Sequence, residues 1–146
     1  MTTDDLTLRI ERTYDAPAER VFDAWTSPEV MRRWWQAERE WETSAAEVDL
    51  RVGGAVRVVM RDPGRDREIG GGGLYTEIER PTRLSFTWLW DGDTRRTLIE
   101  IDFEEHDGRT TVRFAHRGLW DEEAVRAHRH GWTNILDSLG RTLNVG

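Results

Sequence analysis

Apolar side chains recur at every second residue through the middle of this sequence and at every third or fourth residue over its long C-terminal end. The first spacing is typical of strands with one buried face, and the second is typical of an amphipathic helix. A sheet with one apolar face needs a cover, and only the C-terminal segment is long enough to supply it. We therefore predict an α+β fold in which a curved antiparallel sheet wraps around one long C-terminal helix.

The C-terminal stripe begins after Asp121, which is a suitable helix N-cap. At a rise of about 1.5 Å per residue, this helix spans about 30 Å and covers the whole concave face of the sheet. The stripe consists of Val125, His128, Trp132, Ile135, Leu136, Leu139 and Leu143.

The N-terminal part predicts one strand followed by two short helices. Residues 6–14 alternate as a half-buried strand, and Pro17 suits the first turn of a helix. Ser27, just before Pro28, is a good N-cap for a second short helix. With this first strand, the sheet has about six to seven strands, and no linker or repeat interrupts the plan. We predict one domain over residues 1–146.

Turn signals divide the middle of the chain into short strands. They are Gly53-Gly54, Asp62-Pro63-Gly64, Asp91-Gly92 and Asp107-Gly108. Residues 46–50 alternate as one of these strands. Residues 70–73 are four consecutive glycines, but no Gly-Lys-Ser/Thr follows and a strand comes next, so a phosphate loop is excluded. We interpret them as a hairpin turn or a gate to a cavity.

Composition excludes several functions. The sequence has no Cys, so disulfides and thiolate ligands are absent, and it has no Lys, which rules out a lysine Schiff base. The net charge of −7 argues against a nucleic-acid partner. No apolar run is long enough to cross a membrane, and the start at Met1–Asp5 is polar and acidic, unlike a secretory signal. We expect a cytoplasmic protein.

Eight Trp are an unusual number for 146 residues. One helix about 10 Å across does not fill a strongly coiled sheet, so side chains or a guest occupy the remaining space. The alternative to a cavity is a solid, Trp-filled core. For the cavity we predict these lining residues: Trp25, Trp34, Trp35, Met60, Tyr75, Phe86, Trp88, Trp90, Phe103, Phe114, His116, His128, Trp132 and Leu136.

The titratable residues give little sign of catalysis. His128 and His130 are two apart on a helix and so point to different faces, and no set of metal ligands is evident. We predict neither a metal nor a cofactor. His116 is the best candidate for a general acid or base in the cavity. Gly131 lies inside the long helix, where it costs about 1 kcal/mol relative to Ala unless close packing or a ligand needs the space.

Five motifs occur in an order that resembles a known family. They are Tyr14–Trp25, Trp34-Trp35, Asp49–Gly54, Pro81–Trp88 and Gly131-Trp132. In this order the chain resembles the START-like (SRPBCC) superfamily, and within it the single-domain bacterial proteins homologous to the activator of the heat-shock chaperone ATPase. The resemblance implies a helix-grip fold with a cavity between sheet and C-terminal helix that takes lipids, polyketides or other hydrophobic molecules.

Three functions remain open at this point. The first is binding of a small hydrophobic molecule, which is lipid-, polyketide- or aromatic-like. The second is a polyketide cyclase or aromatase, a related activity within the superfamily; we favour a protein that is not an enzyme. The third is a chaperone-associated protein-interaction module, although the additional N-terminal domain of the eukaryotic co-chaperones has no room in this chain. A homodimer is compatible with each of them.

Overall fold

The computed structural model describes residues 6–145, so the acidic start at Met1–Asp5 lies outside the described residues. The elements follow the order β1 (Leu8–Tyr14), α1 (Ala18–Thr26), α2 (Pro28–Trp34), β2 (Glu42–Val48), β3 (Ala55–Asp62), β4 (Arg67–Glu79), β5 (Arg83–Trp90), β6 (Thr97–His106), β7 (Arg109–Arg117) and α3 (Glu122–Val145). The prediction of an α+β fold with two short helices after the first strand and one long C-terminal helix is confirmed.

The seven strands form one antiparallel sheet in the order β1-β7-β6-β5-β4-β3-β2. Strands β2 to β7 pair in sequence order, and the last strand, β7, also pairs with the first, β1. The sheet curls into a half-barrel, as twisted antiparallel meanders do, and α3 lies along its concave side. Within residues 6–145, no helix is long and apolar enough to cross a membrane.

The C-terminal half of α3 is fixed to β1. The Tyr14 hydroxyl donates a hydrogen bond to the Leu136 carbonyl at 2.8 Å, and burial raises the pKa of this phenol. A Cβ added to Gly140 would lie 3.3 Å from the Tyr14 ring, so the missing side chain permits the close approach of helix and strand. At the other end of α3, the Asp121 carboxylate accepts a hydrogen bond from the Ala124 N–H at 2.7 Å, which confirms the predicted cap.

Trp25, Trp34 and Trp88, which we call the indole core, fill the middle of the half-barrel. A fourth buried tryptophan, Trp35, packs against them. Trp35 contacts all of them, with ring centroids 5.6, 5.4 and 5.9 Å away respectively. Trp25 meets Trp34 edge to face at 4.7 Å, an arrangement that indole quadrupoles favour. The centre of the molecule therefore corresponds to the solid, Trp-filled alternative.

The four glycines at 70–73 lie inside β4, so the prediction of a turn or gate there is wrong. A Cβ on Gly71 would lie 2.7 Å from the Trp88 ring, and one on Gly73 would lie 1.9 Å from the Thr87 carbonyl oxygen. The glycines allow β4 to pass closely over β5 and its indole. The strand expected over residues 46–50 is shifted as well, because β2 ends at Val48 and Leu50 is 40% exposed.

Candidate functional site

A cleft of about 250 Å³ separates the N-terminal half of α3 from the inner side of β3, β4 and β5; we call it the Trp cleft. Four of its lining residues are tryptophans. Its lining residues are Trp35, Ala37, Glu38, Trp41, Met60, Ile69, Trp90, Ala127, His128, His130, Gly131, Trp132 and Ile135. The walls are mainly apolar, and Glu38 and His130 stand at the mouth with side chains 39% and 62% exposed.

Three parts of the chain build the cleft. The sheet contributes Met60 and Trp90, and the irregular segment between α2 and β2 contributes the residues from Trp35 to Trp41. The Asn134 side chain on α3 donates a hydrogen bond to the Ala37 carbonyl at 2.9 Å and so fastens this segment to the helix. Gly131 faces Ala37, where an added Cβ would make ordinary contact at 3.5 Å.

The structure brings five of the predicted site residues to the Trp cleft: Trp35, Met60, Trp90, His128 and Trp132. The others are buried in the core around it and do not line the cleft: Trp25, Trp34, Tyr75, Phe86, Trp88, Phe103, Phe114, His116 and Leu136. Most of the predicted residues thus lie deeper than the cleft wall, because alternation along strands identifies an inward face but not which part of that face remains unfilled.

Sequence reasoning missed part of the cleft wall. Trp41 and Glu38 lie in a segment with no period, so no pattern assigned them to a face. Ile135 follows Trp132 at helical spacing on the predicted stripe and was available from that signal. The residues missed are Ala37, Glu38, Trp41, Ile69, Ala127, His130 and Ile135, whereas the sequence had already indicated Gly131 as a position that leaves space for packing or a ligand.

His128, on α3, bonds to Trp90 of β5 and is held in its neutral form. The Trp90 indole N–H donates to Nε2 at 3.0 Å. Because an indole nitrogen only donates, Nε2 must be the acceptor, and Nδ1 carries the proton that bonds the Ala124 carbonyl at 2.7 Å. Burial lowers the pKa of His128. Both ring nitrogens are used, so His128 presents no free hydrogen-bonding group to a guest.

His116 shows the same arrangement one layer deeper. The Trp132 N–H donates to its Nδ1 at 3.1 Å, so Nε2 carries the proton and donates to the Thr97 hydroxyl at 2.7 Å. The residue is fully buried, and its ring centroid is 5.0 Å from that of His128. Burial, assisted by the nearby His128, lowers the pKa of His116 to about 3. A neutral imidazole with both nitrogens engaged is poorly suited to proton transfer.

At the mouth, the Glu38 carboxylate lies 2.9 Å from His130 Nε2. His128 and His130 thus have different partners, as their spacing on the helix predicts. Within residues 6–145, no three His, Asp or Glu side chains come together as metal ligands. The arrangement offers an apolar, indole-lined space with one hydrogen-bonded acid–base pair at its entrance.

A family model described as Activator of Hsp90 ATPase homolog 1-like protein matches residues 15–144. No protein of curated function matches the sequence.

Solved structures of bacterial proteins share the fold. The AHSA1 protein from Silicibacter pomeroyi has a TM-score of 0.84 at 26% identity, covering 95% of this chain and 98% of that one. The AHSA1-like protein from Aeromonas hydrophila has a TM-score of 0.79 at 28% identity, with 95% and 92% covered. CalU16 from Micromonospora echinospora has a TM-score of 0.71 at 26% identity, with 93% and 74% covered.

Proposed function

We propose that this chain, which belongs to the family of Activator of Hsp90 ATPase homolog 1-like proteins, binds a small, largely apolar molecule in the Trp cleft. The observation that carries the proposal is an apolar space of about 250 Å³ left open beside a densely filled core. Four large rings pack closely against one another in the core. On the cleft side of α3, in contrast, the small residues Gly131 and Ala127 leave the space open.

The size of the cleft limits the guest. Its volume of about 250 Å³ is slightly below the range of about 300–1,000 Å³ of ordinary ligand pockets and equals the share of about eight liquid waters. A molecule of one or two fused rings fits this space, whereas an extended acyl chain does not. Indole faces stack well on flat aromatic guests, and removal of apolar surface from water supplies the affinity.

A matched pair of substitutions tests the proposal. Gly131→Leu places a branched side chain where α3 faces Ala37, and we expect it to abolish binding of 2-naphthylmethanol in isothermal titration calorimetry. Gly131→Ala adds only one carbon, at a distance of 3.5 Å from Ala37, and should change the affinity by less than about threefold. Equal affinities of Gly131→Leu and the unmodified protein would reject the cleft as the site.

The other two functions have weaker support. A cyclase needs a proton-transferring group in contact with its substrate, and His116, the residue predicted for that role, does not line the cleft. An interaction module needs a large exposed apolar surface, and among the described residues the exposed large hydrophobics are Leu50, Val52 and Leu74. The expected homodimer, cytoplasmic location and lack of a nucleic-acid partner stay predictions.

A further inference from the structure

We propose that the Trp cleft selects amines over carboxylates of the same shape, and that Glu38 determines this preference. The inference rests on the proposed binding function and names the chemical class of the guest, an aromatic ring system bearing a positively charged nitrogen. It follows from the Glu38 charge at the mouth, from the electronegative faces of the indole rings and from the neutral state of His128.

Glu38 is the only Asp, Glu or Arg side chain among the cleft residues of the described range. Its carboxylate is partly exposed and hydrogen-bonded to His130 at 2.9 Å. A carboxylate has two oxygens with about four acceptor positions, so the bond to His130 leaves room for an ammonium donor. A guest whose apolar part fills the cleft carries any polar group at this mouth, next to Glu38.

The indole rings favour the same sign of charge. The face of an indole is electronegative and attracts cations within about 6 Å of the ring centroid. Trp41, a cleft residue, already has the Arg67 guanidinium 5.9 Å from its centroid. Arg67 does not make the mouth basic, because the Asp62 carboxylate lies 3.3 Å from it and balances its charge.

No Arg lines the cleft among the described residues, and Arg95, whose charge acts on His128, is paired with Asp93 at 2.7 Å. His128 is neutral, since it accepts from Trp90 and burial lowers its pKa. A guest carboxylate would therefore meet the Glu38 charge at the mouth, where His130 is already paired with Glu38 and makes no separate site for an anion. The overall charge of −7 acts in the same direction at low salt and is screened at physiological ionic strength.

Three probes that share a 2-substituted naphthalene ring separate the effect of charge from that of apolar contact. They are 2-naphthylmethylamine as the cation, 2-naphthylmethanol as the neutral compound and 2-naphthoate as the anion. We expect the amine to bind at least about tenfold more tightly than the naphthoate at low salt, with the alcohol between them. Glu38→Gln keeps a hydrogen-bonding group for His130 but removes the charge, and it should reduce the amine-to-naphthoate ratio about three- to tenfold.

Glu40→Gln is the matched control, because it removes the same charge from an exposed residue that does not line the cleft. The amine-to-naphthoate affinity ratio of Glu40→Gln should stay within about twofold of that of the unmodified protein. Circular dichroism melting of each variant verifies folding. Naphthoate affinity equal to or above amine affinity, while the alcohol binds, would overturn the charge preference alone. An unchanged amine-to-naphthoate affinity ratio in Glu38→Gln would show that Glu38 does not determine the charge preference. If no probe binds, the proposed function itself fails.

Discussion

In the indole core, Trp25 and Trp88 are held by packing alone, with no hydrogen-bond partner for either N–H among the described residues. In the Trp cleft, Trp90 and Trp132 each donate their N–H to a histidine. Trp34, the third ring of the indole core, donates its N–H to the Ala24 carbonyl at 3.0 Å, but all three core rings are enclosed by neighbours that fix their orientation. Trp90 and Trp132 border the open cleft, and for these two rings a directional hydrogen bond adds to the restraint that packing supplies. The two histidines therefore act as supports for the cleft wall.

The largest expected effect separates the two regions by stability. Trp88→Ala removes a side chain that is 1% exposed and should lower the free energy of unfolding by about 3–5 kcal/mol. Trp41→Ala, on the half-buried cleft wall, should cost about 1–2 kcal/mol and weaken naphthylmethanol binding instead. Urea unfolding of both variants measures the difference. Similar losses of stability would mean that the cleft wall is part of the core.

The histidine supports predict a pH dependence of stability. The folded pKa of His116, about 3, is below its unfolded value near 6.5, so between these values the unfolded chain binds the extra proton. Stability contributed by neutral His116 is present above pH 6.5 and decreases as the pH falls, by about 2–3 kcal/mol at pH 4.5. Urea unfolding at several pH values measures it.

His116→Gln is the control for this prediction. Glutamine retains a donor and an acceptor for Thr97 and Trp132 but does not titrate, so the variant should lose most of the slope between pH 6.5 and 4.5 whatever its absolute stability. His128, whose pKa is also lowered by burial, contributes to the slope that remains. A full slope in His116→Gln would show that other groups cause the acid sensitivity.

Much of the fold was predictable because it depends on periodicity. The strand alternation, the C-terminal stripe and the cap at Asp121 each describe a local preference that the tertiary structure satisfies. The glycines of β4 misled the prediction, because glycine marks turns as well as close contacts, and the contact with Trp88 comes from another strand. The cleft was predictable only where periodic elements line it, as at Met60 and Trp132, and not in the segment around Trp41.

The two halves of α3 should respond differently to alanine. Gly131→Ala, on the cleft side, adds a carbon in ordinary contact and should raise the free energy of unfolding by about 0.5–1 kcal/mol through helix propensity. Gly140→Ala places its carbon 3.3 Å from the Tyr14 ring, which the bond to Leu136 holds in place, so the gain should be absent or reversed. Thermal melting of both variants gives the comparison, and equal gains would contradict the tighter packing at Gly140.

The smallest effect tests whether the core beyond the cleft is closed to guests and water. The Tyr75 hydroxyl is buried in a residue 1% exposed, has no hydrogen-bond partner among the described residues, and burial raises its pKa. Removing an unsatisfied buried hydroxyl recovers its desolvation cost, so Tyr75→Phe should leave stability unchanged or raise it by up to about 1 kcal/mol. Naphthylmethanol affinity should not change, because Tyr75 does not line the cleft.

A loss of stability above about 1 kcal/mol in urea unfolding would mean that the hydroxyl has a partner, such as a bound water. A loss of affinity would extend the binding site into the core and end the distinction between the two regions.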